Sequence, residues 1–245
     1  MSQDEPLAVV TGASKGIGLA VTAMLLRRGC RVIGAYSRDD AAAAAAIKAL
    51  GELGRNLVLV KTDLSDVRGI DPLIREVDKA GGALRYLVAN VGVTDKTPFG
   101  QVTYEKWKWV LDANLTVPFF LTQGLADSLE EARGRIVFIG AVMGIRPHAM
   151  SFSYGVSKAG LHFLAQSLVK VMSPRGITVN VVAPGFVETA MQIGKAPDHR
   201  KRVENKIAMR RFGTPEEVAA TVESLFDLGY VTGQILSVDG GYNVE

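Results

Sequence analysis

The chain has 245 residues, 48% of them hydrophobic, and its 28 basic and 25 acidic side chains give a net charge of +3. This apolar content excludes a disordered chain, and so small a net charge does not favour nucleic-acid binding. Cys30, the single cysteine, excludes an internal disulfide, and no apolar run reaches the roughly 18 residues that cross a membrane, so we expect a cytoplasmic protein without a bound metal.

Short apolar runs alternate with longer helical patterns along the chain. Segments rich in Val, Ile and Leu predict strands at residues 7–11, 31–35, 57–61, 86–90, 135–140, 178–183 and 235–238. Apolar residues at helical spacing predict helices at 17–28, 40–53, 70–79, 104–128, 154–172 and 215–225. Strands that are apolar on both faces and separated by helices indicate a parallel sheet covered on both sides. Because no linker or repeat divides the chain, we expect one doubly wound, Rossmann-type domain over residues 1–245.

A glycine-rich turn follows the first predicted strand. Such a turn lets a pyrophosphate approach the backbone N–H groups and the positive end of the next helix. Its spacing differs from the dinucleotide pattern G-x-G-x-x-G, and its lysine is misplaced for a P-loop. A plain structural turn stays open, as does a nucleophile elbow, which needs an acidic residue and then His148, His162 or His199 after the serine. The candidate binding residues are Gly12, Ser14, Lys15, Gly16, Ile17 and Gly18.

The residues after the second and third strands bear on the identity of a dinucleotide. Enzymes that use NAD usually carry an acidic residue after the second strand, whereas arginine suits a 2′-phosphate. Here the chain has Ser37 and Arg38, which with the nearby lysine of the turn favour NADP(H). Asp39 and Asp40 are expected to cap the next helix. Asp63 either accepts a hydrogen bond from an adenine amino group or caps the turn at residues 64–66.

Two Tyr-x-x-x-Lys pairs occur in the chain. On a helix, each pair shares one face, where an ammonium stabilises a phenolate and lowers the pKa of the tyrosine. Tyr104 and Lys108 lie in a charged helix start, so we expect them at the surface. Tyr154 and Lys158 follow the strand at 135–140, at the edge of a parallel sheet where ligands bind. The second pair is therefore the candidate catalytic pair.

With these pieces in order, the sequence resembles the short-chain dehydrogenase/reductase family over nearly its whole length. Segments 175–189, 211–218 and 232–241 make it most similar to the bacterial 3-oxoacyl-acyl-carrier-protein reductases. The family usually has Asn-Asn-Ala-Gly where this chain has Ala-Asn-Val-Gly at residues 89–92. The residues that carry the resemblance are the turn at 11–18, Asp63, Asn90, Gly92, Asn114, Tyr154, Lys158, Pro184, Gly185 and Thr189.

The resemblance implies a mechanism and a set of cofactor contacts. Tyr154 would donate a proton to the alkoxide that forms when hydride reaches a ketone, and Lys158 would bind the nicotinamide ribose and adjust the tyrosine pKa. Asn114 would anchor a water that relays protons. Thr189 and the backbone of Val187 would hold the carboxamide. Further expected cofactor contacts are Leu64, Asn90, Gly92, Pro184 and Gly185.

The activity implied is NADPH-dependent reduction of a 3-ketoacyl thioester, bound to acyl carrier protein or coenzyme A, in fatty-acid-like or polyketide biosynthesis. The resemblance also implies a homotetramer or dimer built on the helices at 104–128 and 154–172. Two alternatives stay open. The enzyme would act on a free ketone or secondary alcohol, or the chain would be a non-catalytic binding or scaffolding subunit.

One residue of the family pattern is missing. The family places a serine 13 residues before the tyrosine to hydrogen-bond the substrate carbonyl, and here that position is Ala141. Losing one such donor costs about 10²–10³ in rate, so we expect an impaired enzyme. Three explanations remain: an engineered Ser→Ala variant, a natural enzyme relying on Tyr154 or on Ser151, Ser153 or His148, or a poorly active subunit.

Residues 190–212 carry seven basic and two acidic side chains, a net +5 that leaves −2 for the rest of the chain. The resemblance implies a helical lid over the substrate here. The lid is either a solvated surface or, with Lys201, a docking site for an acidic carrier protein, with Arg133 and Arg175 near the same rim. Residues expected to line an apolar slot for the acyl chain are Met143, Ile145, Phe186 and Met191.

Overall fold

The computed structural model describes residues 5–81, 83–147, 151–189 and 197–244, and its strands form one parallel sheet. The strands are β1 (Leu7–Thr11), β2 (Arg31–Tyr36), β3 (Leu57–Lys61), β4 (Leu84–Ala89), β5 (Arg135–Ile139), β6 (Thr178–Pro184) and β7 (Ile235–Val238). They lie in the order β3-β2-β1-β4-β5-β6-β7. The chain order reverses between β1 and β4, which is where ligands bind in open α/β sheets.

Helices cover both faces of this sheet. Within the described ranges, none is both long enough and apolar enough to cross a membrane. The α-helices are α1 (Gly16–Arg27), α2 (Asp40–Leu50), α3 (Asp71–Ala80), α4 (Tyr104–Leu111), α5 (Val117–Gly124), α6 (Ala126–Glu131), α7 (Phe152–Met172), α8 (Pro197–Glu204) and α9 (Pro215–Asp227).

Two apolar cores lie on opposite faces of the sheet because successive strand residues point to opposite sides. Val9 of β1 belongs to one core with Leu121 of α5 and Leu161 of α7, all at most 1% exposed. Val10 belongs to the other core with Leu25 of α1, and α9 packs against α1 on that side. The doubly wound parallel sheet predicted from the apolar strands is confirmed.

The helix predicted over residues 104–128 is wrong as a single element. It divides into α4, a π-helical turn at Asp112–Thr116, α5 and α6. In the π turn the backbone N–H of Val117 donates to the carbonyl of Asp112, five residues earlier. Pro118 has no N–H to donate to the carbonyl of Asn114, so regular α-helical bonding cannot continue there.

The other predicted helices agree with the structure to within one or two residues, except at the end of α2. The helix predicted to end at residue 53 ends at Leu50, because Gly51 adopts φ 54° and a 3₁₀ segment (Gly51–Asn56) follows. In the lid segment, α8 is a helix that the family resemblance implied but that no hydrophobic pattern predicted.

Candidate active site

A cleft of about 530 Å³ opens at the carboxyl edge of the sheet. One wall is the glycine-rich turn after β1, and the opposite wall comes from the turn after β5 and the start of α7. In the described part of the chain, no three His, Cys, Asp or Glu side chains are grouped to hold a metal ion. The predicted residues that line the cleft are Gly12, Lys15, Gly16, Ile17, Ser37, Asn90, Gly92, Ala141, Met143, Tyr154, Lys158, Pro184, Gly185, Phe186, Val187 and Thr189.

The glycine turn is tied to the end of β4. The hydroxyl of Thr11 accepts hydrogen bonds from the backbone N–H of Asn90 at 2.8 Å and of Val91 at 2.9 Å, and the Asn90 amide donates to the Thr11 carbonyl at 2.9 Å. A Cβ at Gly18 would lie 2.0 Å from the carbonyl oxygen of Gly12 and 2.7 Å from the Asn90 amide nitrogen. Only glycine therefore allows α1 to start this close to the loop.

The nucleophile-elbow alternative for the same turn requires a histidine close to Ser14. His162 instead approaches the backbone of Ala141 after β5, at 3.4 Å. His148 and the side chain of His199 lie outside the described residues. The one histidine whose side chain is described therefore contacts the turn after β5 and not Ser14.

A second pocket of about 230 Å³ continues from the glycine turn toward β2 and β3. It is lined by Ser14, Ser37, Arg38, Asp63 and Leu64, among others. Two cations at its rim pair with carboxylates: Lys15 with Asp39, and Arg38 with Asp63 at 3.4 Å.

Of the three candidate capping aspartates, Asp39 and Asp63 do cap, whereas Asp40 is the first residue of α2 and pairs with Lys61 at 2.6 Å. Asp39 accepts from the backbone N–H of Ala42 at 2.8 Å, as predicted for the start of α2. Asp63 accepts from the backbone N–H of Ser65 at 3.0 Å, and this bond is the main reason that its pKa lies below the usual range. Asp63 therefore caps its turn and also faces the pocket, so the two alternatives for it are not exclusive.

The second Tyr-x-x-x-Lys pair lies in the cleft, and the first does not. Lys158 is 2% exposed, and its Nζ donates to the carbonyl of Ile139 at 2.7 Å and lies 5.9 Å from the Tyr154 ring centroid. Burial raises the pKa of Tyr154 to about 12 and lowers that of Lys158 to about 8. Tyr104, by contrast, is 72% exposed, and Lys108 pairs with Asp112 on the surface.

Asn114 is fully buried in the π turn and binds both neighbouring elements. Its Oδ1 accepts from the backbone N–H of Val93 at 2.8 Å, and its Nδ2 donates to the Val93 carbonyl and to the Ser157 hydroxyl, both at 2.9 Å. The Ser157 hydroxyl in turn donates to the carbonyl of Tyr154 at 2.8 Å. Asn114 thus fixes the loop after β4 against the helix that carries Tyr154 and Lys158.

Ala141 has its methyl group in the cleft wall, and a histidine that sequence reasoning missed lies behind it. His162 is 4% exposed, and its Nε2 accepts weakly from the Ala141 N–H. Burial and the Lys158 charge lower the His162 pKa to about 4, so the imidazole is neutral. Side chains at Gly140 and Gly144 would place a Cβ 2.3 and 2.7 Å from this ring. The sequence does place His162 four residues after Lys158, a spacing that puts both side chains on one face of a helix.

The far wall follows β6. Gly185 lies against Asp239, where a Cβ would come within 2.8 Å, and Phe186 packs with Phe212 and Tyr242 at centroid distances of 5.7 and 5.2 Å. Ile145 is 40% exposed and is not among the lining residues. Met191, the remaining member of the expected acyl slot, lies outside the described residues.

The expected docking residues do not come together. Arg133 and Arg175 precede β5 and β6, so within one chain they lie at the amino edge of the sheet, opposite the cleft, and do not share its rim as the resemblance implied. Arg175 also pairs with Asp127 and Glu130, each at 2.6 Å. Lys201 lies exposed on α8, which the Arg200–Glu188 ion pair joins to the end of the cleft wall.

Comparisons with known proteins give consistent matches along the chain. Residues 12–243 match a family model described as enoyl-(acyl carrier protein) reductase. The chain is 34% identical to 3-oxoacyl-[acyl-carrier-protein] reductase FabG of Escherichia coli, over 98% of both chains. It is also 34% identical to acetoacetyl-CoA reductase of Allochromatium vinosum, over 96% of this chain and 97% of that one. Among solved structures, a Pseudomonas aeruginosa RhlG/NADP complex matches with TM-score 0.90 and 32% identity, covering 98% and 96% of the two chains.

The buried Lys158 makes stability depend on pH. Its pKa is about 8 in the folded protein against an ordinary value of 10.5, so between these values the unfolded chain holds more protons and stability rises with pH. In urea unfolding from pH 7.5 to 9.5, we expect the parent to gain about 2 kcal/mol relative to Lys158→Met. A difference between the two proteins that does not change with pH would contradict the buried ammonium.

Proposed function

The chain belongs to the short-chain dehydrogenase/reductase family, and we propose that it reduces the ketone of a 3-ketoacyl thioester with NADPH. The observation that carries the proposal is the pair of half-buried Tyr154 and buried Lys158, which opens on the same cleft as the glycine turn. Relatives named for 3-oxoacyl-[acyl-carrier-protein] and acetoacetyl-CoA reduction support a thioester of acyl carrier protein or coenzyme A as substrate. The 3-hydroxyacyl product fits fatty-acid-like or polyketide biosynthesis.

The residues of the two pockets fit a nicotinamide dinucleotide. Gly12 and Gly18 have no side chains to cover the backbone at the start of α1, where the N–H groups and the helix dipole would attract a pyrophosphate. Arg38 and Lys15 would hold a 2′-phosphate at the rim of the second pocket. Their side chains are 86% and 50% exposed, and exposed ion pairs such as theirs are weak enough to exchange partners.

The nicotinamide half would lie along the far wall of the larger cleft. Asn90 and Gly92 would face one side of it, and Pro184, Gly185, Val187 and Thr189 the other. When bound, the cofactor supplies the hydride that reduces the ketone. The Val187 backbone is fixed by a bridge to Gly213, which gives this wall a defined position.

Tyr154 would hold and deliver the proton of the reaction. With a pKa near 12, its phenol stays protonated at neutral pH and donates its Oη proton to the carbonyl oxygen as that oxygen becomes an alkoxide. The Lys158 ammonium, 5.9 Å from the ring centroid, stabilises the phenolate that remains. Asn114 keeps both side chains in place through Ser157 and would anchor a proton-relay water.

A second candidate function is a non-catalytic binding or scaffolding subunit, and Ala141 is the observation that favours it. With a methyl group at this position, the cleft has one hydroxyl fewer than the family pattern next to the substrate carbonyl. If no other side chain supplies that hydrogen bond, the chain would bind cofactor and turn over slowly.

Assembly into a dimer or tetramer is supported by the outer face of α7. Val156, Phe163 and Val171 on this helix are 51%, 70% and 58% exposed, which is unusual for apolar side chains along one helix. Phe120 of α5 is 39% exposed and extends the apolar character to the neighbouring helix. We propose that a second copy of the chain covers this face.

The decisive experiment measures NADPH oxidation by the purified chain with acetoacetyl-CoA. We expect turnover with the parent and a loss of about 10²–10⁴-fold in Tyr154→Phe, because the proton donor is removed. Tyr104→Phe, which changes the tyrosine of the exposed pair, serves as the matched control and should retain activity. Cofactor binding without turnover of the thioester or of a free ketone would support the non-catalytic subunit instead.

The choice of cofactor is tested at Arg38. We expect Arg38→Ala to raise the KM for NADPH about 10- to 100-fold, because a charge-assisted bond to phosphate is lost, and to leave the KM for NADH nearly unchanged. Arg55→Ala, at an exposed arginine paired with Glu52, is the control. An equal effect of Arg38→Ala on both cofactors would contradict recognition of a 2′-phosphate.

Docking of an acidic carrier protein is tested at Lys201, because Arg175 already holds two carboxylates and its replacement would disturb them. We expect Lys201→Glu to lower kcat/KM for a carrier-bound substrate about tenfold at low ionic strength, and less at high salt. Turnover of a small uncharged 3-ketoester should not change. Lys48→Glu, at an exposed position on α2, is the control, and equal losses with both substrates would rule out docking at the lid.

A further inference from the structure

The cleft wall that contains Ala141 also contains the hydroxyl-bearing side chain of Ser151. We propose that the Ser151 hydroxyl donates to the substrate carbonyl oxygen the hydrogen bond that a serine at position 141 would otherwise supply. This assignment rests on the ketone reduction proposed above and names a further residue of the same site.

Ser151 lines the cleft together with Ala141 and Tyr154 and is 8% exposed. It occupies the N-cap position of α7, where a serine side chain ordinarily accepts a bond from the first turn. Here the side chain makes no capping bond, and within the described part of the chain its hydroxyl has no hydrogen-bond partner. A nearly buried hydroxyl without a partner at the wall of a cleft is suited to bind a ligand.

The neighbouring hydroxyls are excluded by position or by existing bonds. Ser153 is 2% exposed and does not line the cleft. Ser157 donates to the carbonyl of Tyr154 and accepts from Asn114, so its hydroxyl is already engaged. Thr189 lies beside Gly16, at the cofactor end of the cleft, where a Cβ on that glycine would be 3.1 Å from the threonine methyl.

Thr94 is the remaining competitor. It lines the cleft in the loop after β4, next to Val93, whose backbone Asn114 holds. Ser151, by contrast, directly precedes α7, the helix that carries Tyr154, and both residues line the cleft. Ser151 is therefore the cleft hydroxyl that the same element positions together with the proton donor.

The packing of α7 also brings Ser151 and position 141 to one place. The first turn of α7, closed by the bond from the Gly155 N–H to the Ser151 carbonyl at 2.9 Å, rests on the 3₁₀ turn Val142–Gly144. A Cβ at Gly155 would lie 3.3 Å from the Met143 carbonyl oxygen. Position 141 and Ser151 thus flank the contact between α7 and the turn after β5, and both line the same cleft.

The test is a set of four proteins: the parent, Ser151→Ala, Ala141→Ser, and the double variant, assayed with NADPH and acetoacetyl-CoA. We expect Ser151→Ala to lower kcat about 10²-fold with little change in KM or Tm, because the hydroxyl acts on the developing oxyanion and does not cap the helix. The double variant should recover at least tenfold over Ser151→Ala, since the hydroxyl is returned at position 141. Ser153→Ala is the matched control and should keep the parent kcat, and Thr94→Val tests the competing hydroxyl and should lower kcat less than Ser151→Ala does.

The outcomes separate this proposal from the function on which it rests. Parent-like turnover in Ser151→Ala, a loss that Ala141→Ser does not restore, or an equal loss in Thr94→Val would each overturn the assignment to Ser151. An inactive parent with an active Ala141→Ser variant would also overturn it while supporting ketone reduction by this site. If neither protein turns over despite binding NADPH, the proposed function itself fails, and the assignment with it.

Discussion

A lysine ammonium held out of water is the constraint on which the rest of the site depends. Lys158 is 2% exposed, and the bond of its Nζ to the Ile139 carbonyl replaces only part of the hydration that it loses. The hydration that this bond does not replace lowers the pKa of Lys158 to about 8. An amine whose protonation is this finely balanced can stabilise a phenolate beside it and still lose a proton at moderate pH, which is the property a proton-relay residue needs.

The surrounding backbone is shaped to reach that ammonium. A side chain at Gly92 would place its Cβ 3.3 Å from the Lys158 nitrogen, so any larger residue would require the ammonium to shift by a few tenths of an ångström. On the other side, Gly140 and Gly144 make room for the imidazole of His162, which stays neutral because it is buried and because a second positive charge close to Lys158 would be unfavourable. The glycines of the cleft therefore serve the buried charge as well as a cofactor.

Much of this arrangement was predictable from the sequence, because it depends on local patterns. The apolar strands gave the parallel sheet, and the position of Tyr154 after β5 distinguished it from Tyr104. The π turn at Asn114 was not predicted, because the apolar periodicity of a helix continues through it. The sequence feature that indicates it is Pro118, which has no N–H to donate. His162 was considered only as a partner of Ser14. Its spacing from Lys158 places the two on one helix face, but its contact with Ala141 depends on how α7 packs against the turn after β5.

The charge of residues 190–212 is another property that the sequence alone does not determine, because it depends on which side chains form ion pairs in the fold. The net +5 of residues 190–212 counts side chains without regard to partners, yet Arg200 binds Glu188 and Glu204, and Arg211 binds Glu217. Within the described residues, Lys201, Arg202 and Lys206 have no carboxylate partner. The Arg200–Glu188 pair positions α8 next to the cleft wall, since Glu188 precedes Thr189, while the unpaired cations provide the long-range field. Because Debye screening weakens such a field over about 10 Å at 0.1 M salt, attraction of an acidic partner by this segment depends on these three exposed side chains and on ionic strength rather than on the charge of the whole chain.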